Sequence, residues 1–498
     1  MATKKIITLH KQGNILCVSP TTDTIFEILK PVLSFTEQQK AFGVEAQQRK
    51  AKGLGPLKFT EHNLFELDFK QRLVAPFGFW KLIRDTLRKH GYRVGFKDLK
   101  PMPARRLQPR WKNIASYQLR TGQPEFLKQF LTNRCGRFDC PPGFGKSYMI
   151  GIMAALLPRA RFDIVTRRAA VLRDRIYPEL VQMVGDVGIV GGGKRVTGCR
   201  VMCYTVGSIH HAKGDGDFLV GDECHELASD KAAEELARWQ DSRNMGLSAS
   251  HDMRWDGKDL RTHGLFGPVV FRMSYEEAQS SGLVVPITVH WTPVVMDFNP
   301  CGDYADIEKK RHGIWRNEYR NQCIAQDARR YGPDVQTLIT VETLEHAMNL
   351  KRLLPEYTLV YREGGLTERE RNRYAHNGYC KASEPLMDIE RREKLTTAFE
   401  KGKLKKAICT TVWNVGVSFN HLSVLLRAEG SSSAIASVQV PGRASRIQDG
   451  KAGSLVHDYL DQFDHGCNMK AVSRMKIYKQ NRWEQVFPGS TTLNDHLR

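Results

Sequence analysis

The stretch DCPPGFGKSYMIGIMAALL, residues 139–157, constrains this chain more than any other. Glycines at 143 and 145 let backbone N–H groups close on a phosphate, Lys146 can reach a terminal phosphate, and Ser147 can ligate magnesium. Pro142, Gly143, Phe144, Gly145, Lys146 and Ser147 are therefore the candidate nucleotide-binding residues. The following residues are apolar at Ile150, Met153, Leu156 and Leu157, as a helix packed into a core requires. The first glycine of the usual GxxxxGK[ST] pattern is Cys140 here, so the loop alone leaves a chance glycine-rich turn open.

A second signal lies 76 residues downstream of Lys146, in DFLVGDECHEL. An apolar strand ends in Asp222 and Glu223. A carboxylate at a strand end can hold magnesium, and its neighbour can deprotonate an attacking water. The metal candidates are thus Ser147 and Asp222, and the catalytic candidates Lys146, Asp222 and Glu223. The spacing of loop and acid pair suits neighbouring strands of one parallel sheet. An ordinary acidic turn is the alternative for DECH read alone. A third signal, SVQVPGRASR, offers Gln439, Arg443 and Arg446. Arginine presents a rigid fork that neutralises charge on a transferred phosphoryl group.

Around these signals short apolar runs alternate with helical patterns, the signature of parallel α/β domains. FDIV, RVMCY, DFLVGD and NMGLS read as strands of a first series. QTLITV, YTLVY, KAICTT, SVLLRA and SLVHDYL read as a second. PVVFRMSYEEAQSSGLVVPITVHW reads as strand, helix and return strand. Before them, Ile15 to Val18 reads as a strand, TTDTIFEILKPVL as a capped helix, and FGFWKLIRDTLRKHG as a helix with Phe79, Leu82, Ile83 and Leu87 inward. YRVGF reads as a strand and PMPARRLQP as a linker.

Charge points to a polyanionic partner. The chain carries 75 Lys and Arg against 54 Asp and Glu, a formal +21. Residues 1–110 alone hold 21 Lys and Arg against 9 Asp and Glu, which favours nucleic acid over a membrane surface. Lys81, Arg84 and Arg88 fall on one helix face, as a row of phosphate contacts or a solvated face. No run approaches about 18 apolar residues, so no membrane-spanning helix is expected. The N-terminus lacks a signal-peptide core, so a cytoplasm-like compartment is expected, a host cytoplasm if the chain is phage-encoded. The 11 cysteines form no CxxC, and Cys199 and Cys203 lack a second pair, so reduced thiols are expected rather than zinc.

In order, these segments resemble the motifs of superfamily 2 helicases across residues 110–460. SYQLRTGQPEFL resembles the adenine-side glutamine motif, with Gln118 in its key place. CPPGFGKS resembles motif I, DIVTRRAAVLRD motif Ia, DECH motif II, GLSAS motif III, ICTTVWNVGVSF motif V and QVPGRASR motif VI. SASHDMRWDGKD followed by GLFGPVVFRMSYEEAQSSGLVVP resembles the UvsW and XPB branch of DNA translocases, and the whole arrangement resembles phage-encoded branch-migration helicases. Three departures stand out: Cys140 in motif I, Ala115 where an arginine usually precedes the glutamine, and Gly416, Val417, Ser418 where motif V often has GxD.

The resemblance implies two RecA-like parallel-sheet domains in tandem behind a small basic α/β (α+β) domain. The expected divisions are 1–105, 106–292, 293–462 and a basic extension 463–498. It implies ATP and Mg2+ as ligands. It implies DNA contacts at Thr166, Arg167, Thr205 and Thr410, a coupling role for His225, and a stacking or packing role for Trp255 beside Arg254. The implied activity is an ATP-dependent DNA helicase or translocase on duplex, forked or junction DNA, moving 3′ to 5′. A DExH RNA helicase and an ATP-gated clamp without strand separation are the alternatives.

Overall fold

The computed structural model describes residues 6–37, 60–101, 107–249, 257–304, 306–413, 417 and 419–488. It divides into two units. The first holds residues 1–140 and 145–273, and the second holds 141–144 and 274–498.

The first unit begins with a five-stranded sheet in the order Glu66–Leu67, Leu73–Pro76, Ile15–Ser19, Ile6–Gln12, Arg93–Asp98. Only its last pair is parallel. Helix Asp23–Leu29 is capped by Thr22, whose hydroxyl accepts the Ile25 N–H. Helix Trp80–Lys89 buries Ile83 and Leu87 and stops before Gly91. Their apolar faces close a core with Leu9, Leu16, Val18 and Phe79, and Cys135 joins it from the next sheet.

This small sheet is therefore seated on the larger one. Asn14 Nδ2 donates to Trp239 O at 2.5 Å and lies 3.3 Å from Asn244 Oδ1. Gly78 is required at the seam: a Cβ there would lie 2.2 Å from His263 O, a clash that backbone cannot relieve.

The larger sheet of the first unit has eight strands. Their order is Lys194–Val196, Val187–Gly191, Val201–Thr205, Phe162–Thr166, Phe218–Asp222, Arg243–Ser248, Cys135–Asp139, Val269–Arg272. All pairs are parallel except the terminal hairpin. Phe162–Thr166, Val201–Thr205 and Phe218–Asp222 are buried throughout, which is why they read as unbroken apolar runs. Cys135–Asp139, sequence CGRFD, does not read that way. Its Arg137 is buried because Nε donates to Gly267 O at 2.8 Å.

The expected adjacency of loop and acid-pair strands is corrected here. Arg243–Ser248 lies between Cys135–Asp139 and Phe218–Asp222. Spacing along the chain cannot distinguish one intervening strand from none, because the crossover helices absorb the difference.

The second unit carries a seven-stranded, all-parallel sheet. Its order is Thr358–Val360, Lys406–Cys409, Thr337–Thr340, Val424–Arg427, Ser454–Asp461, Ile287–Val294, Glu484–Val486. Ile287–Val294 pairs along its whole length with Ser454–Asp461. It is therefore no return strand for Val269–Arg272, and the second sheet starts before residue 293. Helix His465–Gln480 packs on this sheet, with Tyr478 and Arg474 fully buried. The two large parallel sheets are RecA-like, behind a small N-terminal sheet, which is the expected fold class.

Candidate nucleotide site

Strand Cys135–Asp139 delivers the chain to a loop whose Gly143 and Gly145 have φ of 85° and 88°. Gly145 then opens helix Lys146–Leu156, which is buried from Ser147 through Leu156 apart from Tyr148. The first N–H groups of a helix have no partner within it, so this end offers several donors to an anion. The helix cannot shift away, because its apolar side chains fill the core on every side.

Lys146 Nζ lies 2.9 Å from Glu223 Oε1. Burial opposes the Lys146 charge, but Glu223 and Asp222 together outweigh it and raise the Lys146 pKa. Asp222 ends the buried strand Phe218–Asp222 and is 5% exposed. Burial first, and then the neighbouring Glu223 carboxylate, push its pKa up to about 7, with Lys146 pulling the other way. Its anion is thus under-compensated by the protein. A carboxylate and a hydroxyl such as that of Ser147 are hard oxygen ligands of the kind that Mg2+ takes.

Glu223 has φ of 46°, a left-handed conformation that a non-glycine residue holds only against a cost of order 1–3 kcal/mol. The intervening strand holds it there. Ser248 Oγ lies 3.5 Å from Glu223 Oε2 and 2.7 Å from His225 Nδ1, and His225 Nδ1 lies 3.5 Å from the same Oε2. Ser248 and His225 are both buried. The carboxylate therefore bridges Lys146 on one side and a buried histidine–serine pair on the other.

Two glutamines precede the loop and differ in burial. Gln118 is exposed, whereas Gln123 is 1% exposed and opens helix Gln123–Thr132. Gln123 Oε1 accepts the Arg120 N–H at 2.8 Å, and a Cβ on Gly145 would lie 3.4 Å from its Nε2. Gln123 is the glutamine the fold brings to the loop.

Among the strand-end residues, Thr166 and Thr205 are buried and directly paired across the sheet. Thr205 Oγ1 shares a 2.9 Å hydrogen bond with Ser208. Arg167 is exposed. The next residue, Arg168, has no distinguishing pattern in the sequence, yet it pairs with Glu226 at 2.7 Å and ties this segment to the DECH turn.

In the second unit Thr410 is buried, and its neighbour Thr411 is the exposed hydroxyl. Gln439 and Arg443 lie on helix Ala434–Ala444, with Arg446 just beyond it, and all three are half-buried. Arg443 Nη1 donates to Trp413 O and Val417 O at 3.1 and 3.2 Å. The segment holding Arg446 is braced by Lys451, whose Nζ donates to the Arg446, Asn420 and Ala444 carbonyls. Gly416, Ser418, Arg254 and Trp255 lie outside the described residues. Lys81, Arg84 and Arg88 stand on helix Trp80–Lys89, remote in the chain from the loop, with Lys81 and Arg88 exposed.

No protein-family model matches the chain. Among curated proteins it is 30% identical over 169 residues to "DNA 3'-5' translocase XPB2" of Sulfurisphaera tokodaii, covering 32% of this chain and 37% of that one. It is 22% identical over 292 residues to "Putative helicase 22" of Sulfolobus islandicus filamentous virus, covering 56% of this chain and 48% of that one. The matches thus span less than half the length of these relatives. Among solved structures, a fragment of a putative HsdR subunit of a type I restriction enzyme from Vibrio vulnificus aligns with TM-score 0.51 at 14% identity, over 85% of this chain and 79% of that one. S. cerevisiae Dbp5 bound to RNA and ADP BeF3 aligns with TM-score 0.50 at 12% identity, over 78% and 96%. T4 UvsW aligns over 97% and 98%, at 16% identity and TM-score 0.42. The first two likenesses, at such identity, speak to the fold alone.

Proposed function

We propose that this chain is a superfamily 2 helicase, an ATP-driven translocase acting on duplex or branched DNA. The observation that carries the reading is the Glu223 carboxylate, held in a strained backbone between Lys146 and the His225–Ser248 pair. In the first unit Lys146 and the N–H groups at the start of its helix bind the polyphosphate of ATP. Lys146 exchanges Glu223 for a phosphate oxygen as its partner, which frees the carboxylate. Glu223 then takes the proton of the attacking water. Ser147 and Asp222 would hold Mg2+, whose charge offsets that of the phosphates. Gln123, in place of Gln118, recognises the adenine edge.

In the second unit Gln439 offers a neutral amide and Arg443 and Arg446 offer guanidinium forks, groups of the kind that neutralise charge on a transferred phosphoryl group. Arg443 already spans the Trp413 and Val417 carbonyls, so the motif V backbone senses its position. Strand-end groups at Thr166, Arg167, Thr205 and Thr410 grip phosphates, and contacts of that kind suit a motor that must pass every sequence. No helix among the described residues is long and apolar enough to cross a membrane, and the 11 cysteines are free, which suits a reducing cytoplasm.

The test is ATP hydrolysis measured with single-stranded DNA, duplex, forks, four-way junctions and RNA, beside strand displacement in the 3′ to 5′ sense. Stimulation by DNA, greatest with forks or junctions, is expected. Stimulation by RNA alone would overturn the DNA reading. Hydrolysis without any displacement or junction movement would leave an ATP-gated clamp.

A further inference from the structure

A cleft of about 530 Å³ opens in the first unit between the small N-terminal sheet and the start of strand Cys135–Asp139. Its walls combine two chemistries. Phe77, Trp80 and Phe96 form an aromatic triad with ring centroids 6.3–6.4 Å apart. Phe96 stands on the edge strand Arg93–Asp98 and is 52% exposed.

Four cations line the same cleft: Lys11, Arg84, Arg88 and Arg134. Arg84 lies over the Trp80 ring at 4.8 Å and pairs with Asp85 at 2.8 Å. Lys11 is fully buried, 3.4 Å from Asp98 and 5.2 Å from the Phe77 centroid. Asp98 is shared, since Arg134 Nη1 also reaches it at 3.0 Å, and the buried Arg134 Nε has no hydrogen-bond partner among the described residues. Burial, and then Arg134, lower the Lys11 pKa to about 8. Four cations set against the Asp98 and Asp85 carboxylates attract an anion, and an exposed ring beside them attracts a flat group.

We propose that this cleft captures one unstacked nucleotide of a nucleic-acid strand, its base on Phe96 and its phosphate on Arg84 and Arg88. A volume of this size fits a small ligand, and base–aromatic stacking with cationic backbone contacts is the general means of holding single strands. The inference rests on the nucleic-acid reading above. The small sheet then holds a strand where the duplex is open, apart from the ATP-driven grip.

The experiment uses the full chain and a fork carrying 2-aminopurine at its first unpaired position. Binding is followed by anisotropy and stacking by 2-aminopurine quenching. The wild type is expected to quench the probe. Phe96→Ala, at an exposed position, is expected to abolish quenching and weaken binding about tenfold. Arg88→Gln is expected to weaken binding a few-fold and lower the salt dependence by about one ion. DNA-independent ATP hydrolysis should stay unchanged in both. If both variants bind and quench as the wild type does, while DNA still stimulates wild-type hydrolysis, the cleft is no strand site although the motor reading stands. If the wild type neither binds nor responds to any nucleic acid, the motor reading falls as well. If free AMP displaces the fork from the cleft with equal affinity, the site takes a mononucleotide and strand capture is overturned.

Discussion

Two fully buried aspartates, one in each large sheet, are treated in opposite ways. Asp458, in strand Ser454–Asp461, is met by Arg474 at 2.8 Å, by the Tyr478 hydroxyl at 2.7 Å and by Arg427 at 3.9 Å. Burial works against its charge, but Arg474 and Arg427 outweigh that and hold its pKa below the usual range. Asp222 has no such shell, and burial pushes its carboxyl up to about 7. The difference is one of compensation: Asp458 is met in full within the protein, whereas Lys146 offsets the Asp222 charge only in part.

The comparison can be broken most directly beside Asp222, at Glu223. Glu223→Gln should lower ATP hydrolysis by about 10²–10⁴-fold, the usual contribution of a positioned base, while thermal unfolding shows the fold retained. A variant that hydrolyses ATP normally would remove Glu223 from the chemistry. Asp458→Asn should do the reverse. It leaves Arg474 buried without its counter-charge, while Arg427 keeps Glu429 at 2.9 Å, a cost of about 3–5 kcal/mol, read by chemical denaturation. An Asp458→Asn protein as stable as the wild type would mean that the network is solvated.

Smaller effects sharpen the picture. Gln123→Ala should raise the KM for ATP about fivefold, the worth of roughly one hydrogen bond, and Gln118→Ala should leave it unchanged. Steady-state kinetics on the two variants decide which glutamine serves the nucleotide.

The smallest effect concerns pH. Asp163, buried beneath Trp239 whose Nε1 donates to it at 2.7 Å, is pushed by burial up to about 6. A raised carboxyl pKa gives stability that is full below the unfolded pKa and is lost as pH rises through the folded one. Between pH 7 and pH 5 the wild type should therefore gain about 1 kcal/mol relative to Asp163→Asn. Denaturation of both proteins at the two pH values reads it, and parallel curves would place Asp163 outside the titration.

The strands and the loop are legible because burial on both faces writes itself as apolar runs, and phosphate binding writes itself as glycine, lysine and serine in series. Phe218–Asp222 and Ser454–Asp461 need nothing more. Cys135–Asp139 escapes because its buried Arg137 donates to a carbonyl 130 residues away in the chain, and Gln118 competes with Gln123 because linear spacing does not say which side chain meets Gly145. By itself the sequence determined two parallel sheets, a phosphate loop, an acid pair and a basic N-terminal region, since each depends on local pattern. Only the tertiary structure decided that Arg243–Ser248 stands between loop and acid pair and braces Glu223 through Ser248. It alone seated the small sheet on the first large one, with a cationic aromatic cleft at the seam. Those facts arise from contacts between residues far apart in the chain, and no local pattern records them.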